Sequence, residues 1–423
     1  MNFYLETYGC AANFGNSQDL KKALIEMGHH PTSEADANAV IVNTCVVTEK
    51  TERKIIRRLG QLQGTRLVVA GCLPAALPES LHQIECRRSM GPLKGAQAKE
   101  ISDLFELPAC QKAAGAQPEH SRPNRLDDHQ DCCGIVNIAE GCNGGCSYCI
   151  VRRARGRLIS RTPEEVVEAV RKLVGCGIAE VQLTAQDTAA YGLESGTNLP
   201  RLLRMVTHIP GNFMVRLGMM NPDSTLCIQE DLIEAMHSPK IYRFLHIPVQ
   251  SGSNRILESM GRRYRASDFL DIVRDFRADF KDLSINTDVI VGFPGENDDD
   301  FHATMDLIAA LQPDKVNITR FSRRPGTAAA RLHDMPDRIK KNRSRQLTRL
   351  WLEIAARRNR SYKRRTLDAL VTECGRVGTM KARSANYAGI VIYGAPPLGS
   401  VCKVDVVGSN AFYLKGLLAP EIR

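Results

Sequence analysis

The chain has 423 residues, 43% hydrophobic and 25% charged, with a formal net charge of +10. That length exceeds one ordinary domain and the apolar content is ample for two or three buried cores. No apolar run approaches a membrane span, and residues 1–9 lack a basic region followed by an apolar core, so the expectation is no membrane, no secretory signal and a cytoplasmic location.

Residues 3–7 read as a strand and 15–28 as a helix, with Leu20, Ala23, Leu24 and Met27 at helical spacing. A strand over 39–43, a helix over 47–59 and a strand over 66–70 follow. This alternation predicts a small parallel sheet with helices on its faces, within a domain of residues 1–107. In such sheets function gathers beyond the carboxyl ends of the strands. Each strand is followed there by a cysteine: Cys10, Cys45 and Cys72. A free cysteine packs as a small hydrophobe, which accounts for any one of them. Three at equivalent strand ends read as ligands of one cluster. Arg53, Lys54, Arg57 and Arg58, on the helix after Cys45, are either an RNA contact or a solvated face. Residues 108–131 are rich in proline and polar residues and read as a linker. Cys110, Cys132 and Cys133 in or beside it fit neither pattern.

From residue 132 to 335, strands (134–139, 180–184, 213–217, 244–249, 284–291, 315–321) alternate with helices (163–174, 199–207, 229–237, 266–280, 299–311). The pattern predicts a partial parallel barrel of about six units with its chemistry at the carboxyl strand ends. Strand one runs into Cys142, Cys146 and Cys149, spaced C-x3-C-x2-C. Soft thiolates this close can cap three irons of a four-iron cluster and leave the fourth open to a substrate or cofactor. A zinc knuckle or a disulfide loop is the alternative, although zinc draws four protein ligands from C-x2-C pairs and this loop leaves a third cysteine unpaired. The same rim carries Gln186 and Asp187 after strand two, Arg216 in strand three, Gln250 and Ser251 after strand four, Asp288 in strand five and Gly292, Pro294 and Gly295 beyond it. Such residues are also ordinary loop material. Their shared rim with the cysteine loop makes them site candidates.

Residues 336–365 form a basic helical segment, dense in Lys and Arg from Arg338 to Arg365 with only Glu353 opposing them there. Such a stripe suits a phosphate backbone, and otherwise is a solvated helix face. Strands over 367–373, 388–393, 400–407 and 413–418, separated by Gly, Pro and Asn, predict a small all-β barrel over 366–423. Cys86, Cys176, Cys227, Cys374 and Cys402 read as ordinary residues. Fourteen cysteines in a chain without an export signal point to metal or catalytic use over disulfides.

The cysteine loop, the Cys10/Cys45/Cys72 set and the phrases CSYCIVRRARGRLISR, LHIPVQSGSNRILESMGRRY and TDVIVGFPGE resemble the radical S-adenosylmethionine methylthiotransferases over essentially the whole chain. The resemblance implies an α/β protein: an N-terminal parallel α/β domain, a partial (βα)6 radical-SAM barrel and a C-terminal TRAM-like β-barrel that binds RNA. It implies two 4Fe–4S clusters and S-adenosylmethionine. Cys142, Cys146 and Cys149 would hold the cluster whose open iron chelates S-adenosylmethionine. The 5′-deoxyadenosyl radical released from that cofactor would remove a hydrogen from an unactivated carbon. Cys10, Cys45 and Cys72 would hold the cluster that carries the added sulfur. By position, Gln186, Asp187, Arg216, Gln250, Ser251, Asp288 and Gly292 would line the cofactor pocket; Ala185 departs from the Gly common there.

Known members act on tRNA adenosine at position 37 or on a ribosomal-protein aspartate, and the positive charge favours tRNA. The sequence after Cys149 resembles the archaeal and eukaryotic-type branch, whose substrate is threonylcarbamoyladenosine, over the isopentenyladenosine branch. Arg152, Arg153 and Arg155 would then meet the threonyl carboxylate, and Lys363, Arg364 and Arg365 the RNA. A reducing partner such as flavodoxin or ferredoxin and a sulfur donor are further expected partners. An RNA-binding iron–sulfur protein without catalysis is the non-enzymatic alternative.

Overall fold

The computed structural model describes residues 1–106 and 132–420; the whole of the expected linker, 108–131, including Cys110, falls outside them. The opening sheet is parallel and five-stranded, in the order His30–Pro31, Asn2–Thr7, Ala39–Thr44, Gly64–Gly71, Cys86–Ser89. Its central strand, AVIVNT, is buried at every position, as a continuous apolar run in a two-sided sheet requires. The register pairs Thr7 with Asn43 and Asn43 with Ala70. Three strand ends therefore lie level, and the cysteines that follow them leave along one edge. The first helix, Ala11–Glu26, starts directly after Cys10, four residues before the apolar period does. Its first turns carry buried Asn13 and Asn16 instead, and those polar residues masked the helical pattern.

Six further parallel strands run in chain order as two three-stranded sheets. Cys133–Asn137, Glu180–Thr184 and Met214–Leu217 form one; Phe244–His246, Ser284–Val291 and Lys315–Arg320 form the other. Isolated bridges Val215 to Ile241 and Met219 to His246 join them into an open barrel. The helices between them cover its outside. The first, Pro163–Gly175, starts in a full capping box between Thr162 and Glu165. Strand four stops at His246, short of the predicted residue 249, and Gln250 beyond it sits at φ +66.

The tail is a closed five-stranded barrel in the order Thr366–Cys374, Thr379–Ser384, Gly389–Tyr393, Leu414–Leu418, Val401–Ser409. Gly389–Tyr393 and Leu414–Leu418 pair in parallel, which gives the strand order of an oligonucleotide-binding-type barrel. Thr379–Ser384 went unpredicted because its sequence, TMKARS, is half polar and only alternates in burial. Between barrel and tail runs one helix, Asp337–Arg360. It corrects the reading of a continuous basic stripe. Lys340 and Arg343 are buried. Lys340 pairs with Asp334 at 3.0 Å, and Arg343 reaches Glu296 and Asp298. Arg358 pairs with Asp314 at 2.9 Å. These cations dock the helix on the barrel, while Arg338, Lys341, Arg345, Arg349 and Arg360 remain exposed. No helix among the described residues is long and apolar enough to cross a membrane.

Candidate metal centres

The cysteine loop is held from every side by backbone and side-chain bonds. Gly141 takes φ +79, and a Cβ there would lie 2.0 Å from the Arg157 carbonyl oxygen. Only glycine fits. Its N–H donates to Gln186 Oε1 at 2.7 Å, and the Cys142 N–H donates to the Gly156 carbonyl at 3.2 Å. Ser147 donates its N–H to Met260 and its hydroxyl to Ser259, at 2.9 and 2.8 Å. A Cβ built on Gly144 would stand 3.2 Å from Cys142 Sγ and 3.7 Å from Cys146 Sγ, so those sulfurs are neighbours around the loop. The Gly144 N–H donates to Cys142 Sγ at 3.2 Å. Burial pushes the Cys142 thiol up, against that N–H, and takes Cys149 up to about 11, against the Val151 N–H. The neighbouring cysteines add to both shifts.

The second triplet gathers at the level strand ends. A Cβ on Gly9 would lie 3.1 Å from Cys45 Sγ, one residue before Cys10. Asn13 donates to the carbonyls of Tyr8 and Thr44 at 2.7 and 2.9 Å, tying the Cys10 and Cys45 turns together. Cys72 Sγ is 3.8 Å from Asn13 Oδ1. Burial takes the Cys45 thiol up to about 11, with Cys10 and Cys72 adding repulsion, and burial likewise raises Cys72. No group of three or more His, Cys, Asp or Glu among the described residues is gathered tightly enough to share one metal ion. In an iron–sulfur cluster each thiolate binds a different iron, so three cysteines serve as its protein ligands. The donor chemistry of both triplets fits a 4Fe–4S cluster with three protein ligands.

The two triplets adjoin. Ile150 and Ala154, on the turn and short helix after Cys149, pack into the same apolar core as Cys45, Val46, Cys72 and Leu73. Helix Ala11–Glu26 also meets the first barrel strand, where Asn137 donates to the Ala12 carbonyl at 3.2 Å and Gln18 Oε1 accepts from Ile135. A buried pair, Arg324 with Glu52, closes the other side.

The remaining candidates divide. Gln186 spends its side-chain oxygen on the cysteine loop. Asp187 accepts from the Asn221 N–H, the Asn221 amide and Ser224 at 3.0, 2.9 and 2.7 Å, and burial raises its carboxyl despite these bonds. Asn221 Oδ1 in turn accepts from Arg262 at 2.8 Å, and Arg262 donates to the Tyr148 hydroxyl at 2.5 Å. Asp187 thus bears on the loop through Asn221, Arg262 and Tyr148. Asp288 accepts from His246 and Asn317 at 2.9 and 2.6 Å; burial would raise its carboxyl, but these bonds hold it below the usual range. Gln250 is held in its left-handed conformation by its N–H to Asp288 and its carbonyl from Ile290, at 2.8 and 3.0 Å. Ser251 is fully buried beside Thr304. Gly292 has φ +71, a Cβ there would meet Lys340 Cγ at 2.3 Å, and its N–H donates to Glu296 at 2.8 Å.

Arg216 is brought elsewhere. Its guanidinium lies 5.3 Å from the centre of the Phe244 ring and 5.7 Å from that of Tyr387 in the tail. It lines a cavity of about 440 Å³ between the amino-terminal strand ends and the tail, with Cys133, Glu180, Lys315 and Arg383. Cys132, passed over in the sequence, is buried there and donates to the Thr372 carbonyl at 3.1 Å.

Among the arginines, Arg152 and Arg153 are exposed beside the loop, and Lys363, Arg364 and Arg365 are exposed at the head of the tail. Arg155 is not available to RNA: its side chain is 1% exposed and paired with Glu140 at 3.2 Å. Sequence reasoning missed Asn13, Asn16, Glu140, Asn221 and Arg262. The one available signal was two asparagines within six residues of Cys10, where a helix favours other residues.

The strain at Gly141 gives a direct test. Gly141→Ala is expected to destabilise the loop by about 2 kcal/mol or more and to lower iron retention at this triplet alone, read by urea unfolding and iron per chain.

The Radical SAM superfamily model matches residues 136–308, and the model described as Uncharacterized protein family UPF0004 matches residues 2–90. An open six-stranded barrel with this cysteine loop at its mouth is thus a radical S-adenosylmethionine enzyme. A probable threonylcarbamoyladenosine tRNA methylthiotransferase from Archaeoglobus fulgidus is 41% identical over 424 residues, covering 100% of this chain and 99% of that one. A threonylcarbamoyladenosine tRNA methylthiotransferase from Drosophila melanogaster is 34% identical over 365 residues, 82% of this chain and 65% of that one. A tRNA-2-methylthio-N(6)-dimethylallyladenosine synthase from Aquifex aeolicus is 31% identical over 457 residues, 100% and 99% of the two chains. Among solved structures, a radical S-adenosylmethionine methyltransferase from Kitasatospora setae with cobalamin and a 4Fe–4S cluster bound matches at TM-score 0.56 and 15% identity, over 78% of this chain and 77% of that one, a likeness of fold. The chain belongs to the radical S-adenosylmethionine methylthiotransferase family, enzymes that use S-adenosylmethionine and 4Fe–4S clusters.

Proposed function

We propose that the protein converts N6-threonylcarbamoyladenosine at position 37 of tRNA to its 2-methylthio derivative. The observation that carries this is the packing of two three-cysteine sites against one core, since sulfur insertion needs a radical source and a sulfur carrier close together. When bound, the cluster on Cys142, Cys146 and Cys149 supplies the electron for reductive cleavage of S-adenosylmethionine, which permits abstraction of the C2 hydrogen.

The chain's own residues do the rest by positioning. Gln186 and the Asp187–Asn221–Arg262–Tyr148 chain hold the cysteine loop in one shape. Gln250, Asp288 and His246 present polar groups on the barrel's inner rim, where the cofactor pocket is proposed. Asn13 holds the turns that aim Cys10 and Cys45. The barrel wall keeps water from a reactive site.

Identity favours the threonylcarbamoyl branch, at 41% against 31% for the dimethylallyl relative. The anionic threonyl group also suits the exposed guanidinium groups of Arg152 and Arg153. A cytoplasmic location, a flavodoxin- or ferredoxin-like reductant and a separate sulfur donor complete the proposal. Nucleoside mass spectrometry tests it in a host that makes threonylcarbamoyladenosine but does not methylthiolate it. Expression should produce 2-methylthio-threonylcarbamoyladenosine; a methylthio group appearing only on isopentenyladenosine would overturn the substrate.

The tail is proposed to grip tRNA as a TRAM-like domain through Lys363, Arg364 and Arg365. Replacing all three by Ala should weaken tRNA binding and flatten its salt dependence by about one unit of slope for each phosphate that goes unpaired, measured by titration at several salt concentrations.

A further inference from the structure

Arg155 sits six residues after Cys149 yet belongs physically to the other triplet. It donates to Asn13 Oδ1 at 2.5 Å and to Asn16 Oδ1 at 3.0 Å, both on the helix that Cys10 caps. It also donates to Glu140 Oε1 at 3.2 Å, two residues before Cys142. The same Asn13 Oδ1 that accepts from Arg155 lies 3.8 Å from Cys72 Sγ, so the guanidinium stands one hydrogen-bonded atom away from that sulfur. Glu140 neutralises it only in part, because that carboxylate is 24% exposed and also accepts from Asn16 and faces Lys94 at 3.9 Å. A buried fork of fixed donors thus spans the stretch between the two thiolate sets.

Hydrogen bonds to ligand sulfurs and nearby net charge set the potential of an iron–sulfur cluster. A cation beside Cys72 stabilises the more negative, reduced form and so raises the potential. The effect is large where the charge is buried and screening is weak. Cys72 is buried, as is the short helix Cys72–Ala76 that it opens. Neither Arg152 nor Arg153 substitutes for this charge: both are exposed, and the Arg152 guanidinium reaches the Gly144 carbonyl of the other loop at 3.5 Å.

We propose that Arg155 is a positioning residue whose buried positive charge sets the reduction potential of the cluster on Cys10, Cys45 and Cys72 and locks that site against the radical-generating loop. The proposal rests on the two-cluster reading above.

The test is a redox titration of the reconstituted full-length protein, following each cluster by electron paramagnetic resonance, with iron counted per chain. Arg155→Gln should move the midpoint of the Cys10/Cys45/Cys72 cluster to more negative values and move the other cluster less. Arg155→Lys, which keeps the charge, should restore most of the shift. Equal shifts in both variants, or no shift in either, overturns the proposal. If Arg155→Gln loses its iron, Glu140→Gln decides: removing the counter-charge should move the same midpoint positive, and an unmoved midpoint overturns the proposal. A wild-type protein that binds only one cluster refutes the two-cluster reading itself and is distinguished by the iron count.

Discussion

Cys142→Ala is expected to abolish reductive cleavage of S-adenosylmethionine, a loss of at least about 10³-fold, or about 4 kcal/mol in the barrier. On the proposed reading each of the three loop thiolates would bind a different iron, so two would not do the work of three. Its other polar side chains are bonded within the protein, Asn143 to the Leu158 N–H, Ser147 to the Ser259 carbonyl and Tyr148 to Arg262. The Gly144 N–H that donates to Cys142 Sγ would lose its acceptor as well. The fold should survive, because Gly141 and Ser147 anchor the loop through Gln186 and Met260. The measurement is 5′-deoxyadenosine released per chain under reductant, with iron per chain alongside. Iron should fall to that of one site. Cleavage within about tenfold of wild type would place radical generation elsewhere in the chain.

Cys45→Ala should give the opposite split: cleavage within about twofold of wild type, and no methylthio product. Cys45 lies in the core of the N-terminal sheet domain, 6% exposed, among Val42, Val46 and Leu73. Removing its sulfur, which leaves the Cβ as a methyl group, costs about 1 kcal/mol of stability, a small cavity in an intact core. The loop that carries Cys142, Cys146 and Cys149 is braced by its own bonds to Gln186, Met260 and Gly156. Paired measurement of 5′-deoxyadenosine and methylthio-nucleoside separates the two sites. Loss of both activities together, in a folded variant, would mean that the triplets act as one unit.

The strands and helices of the barrel were legible because their apolar runs are long and their turns carry Gly, Pro and good caps. Glu180–Thr184, Leu199–Thr207 and Ser284–Val291 fall where the pattern puts them. The half-polar strand Thr379–Ser384 and the asparagine-led start of helix Ala11–Glu26 did not, because neither presents an apolar period. The resemblance named Gln186, Asp187 and Arg216 as positions lining the cofactor pocket and carried no information on what each one touches. Gln186 and Asp187 face protein partners, and Arg216 faces the tail.

By itself the sequence singled out both cysteine triplets, since residue identity and spacing are properties of the chain. Strand order did the same for their placement at carboxyl ends. Only the tertiary structure decided which charges are free. Lys340, Arg343 and Arg155 look like RNA-binding residues in a linear count. Folding buries each against Asp334, Glu296 and Glu140, because a buried cation must find a carboxylate wherever the chain supplies one. Those partners are six, 47 and 15 residues away in sequence. At such separations only packing determines which charges meet.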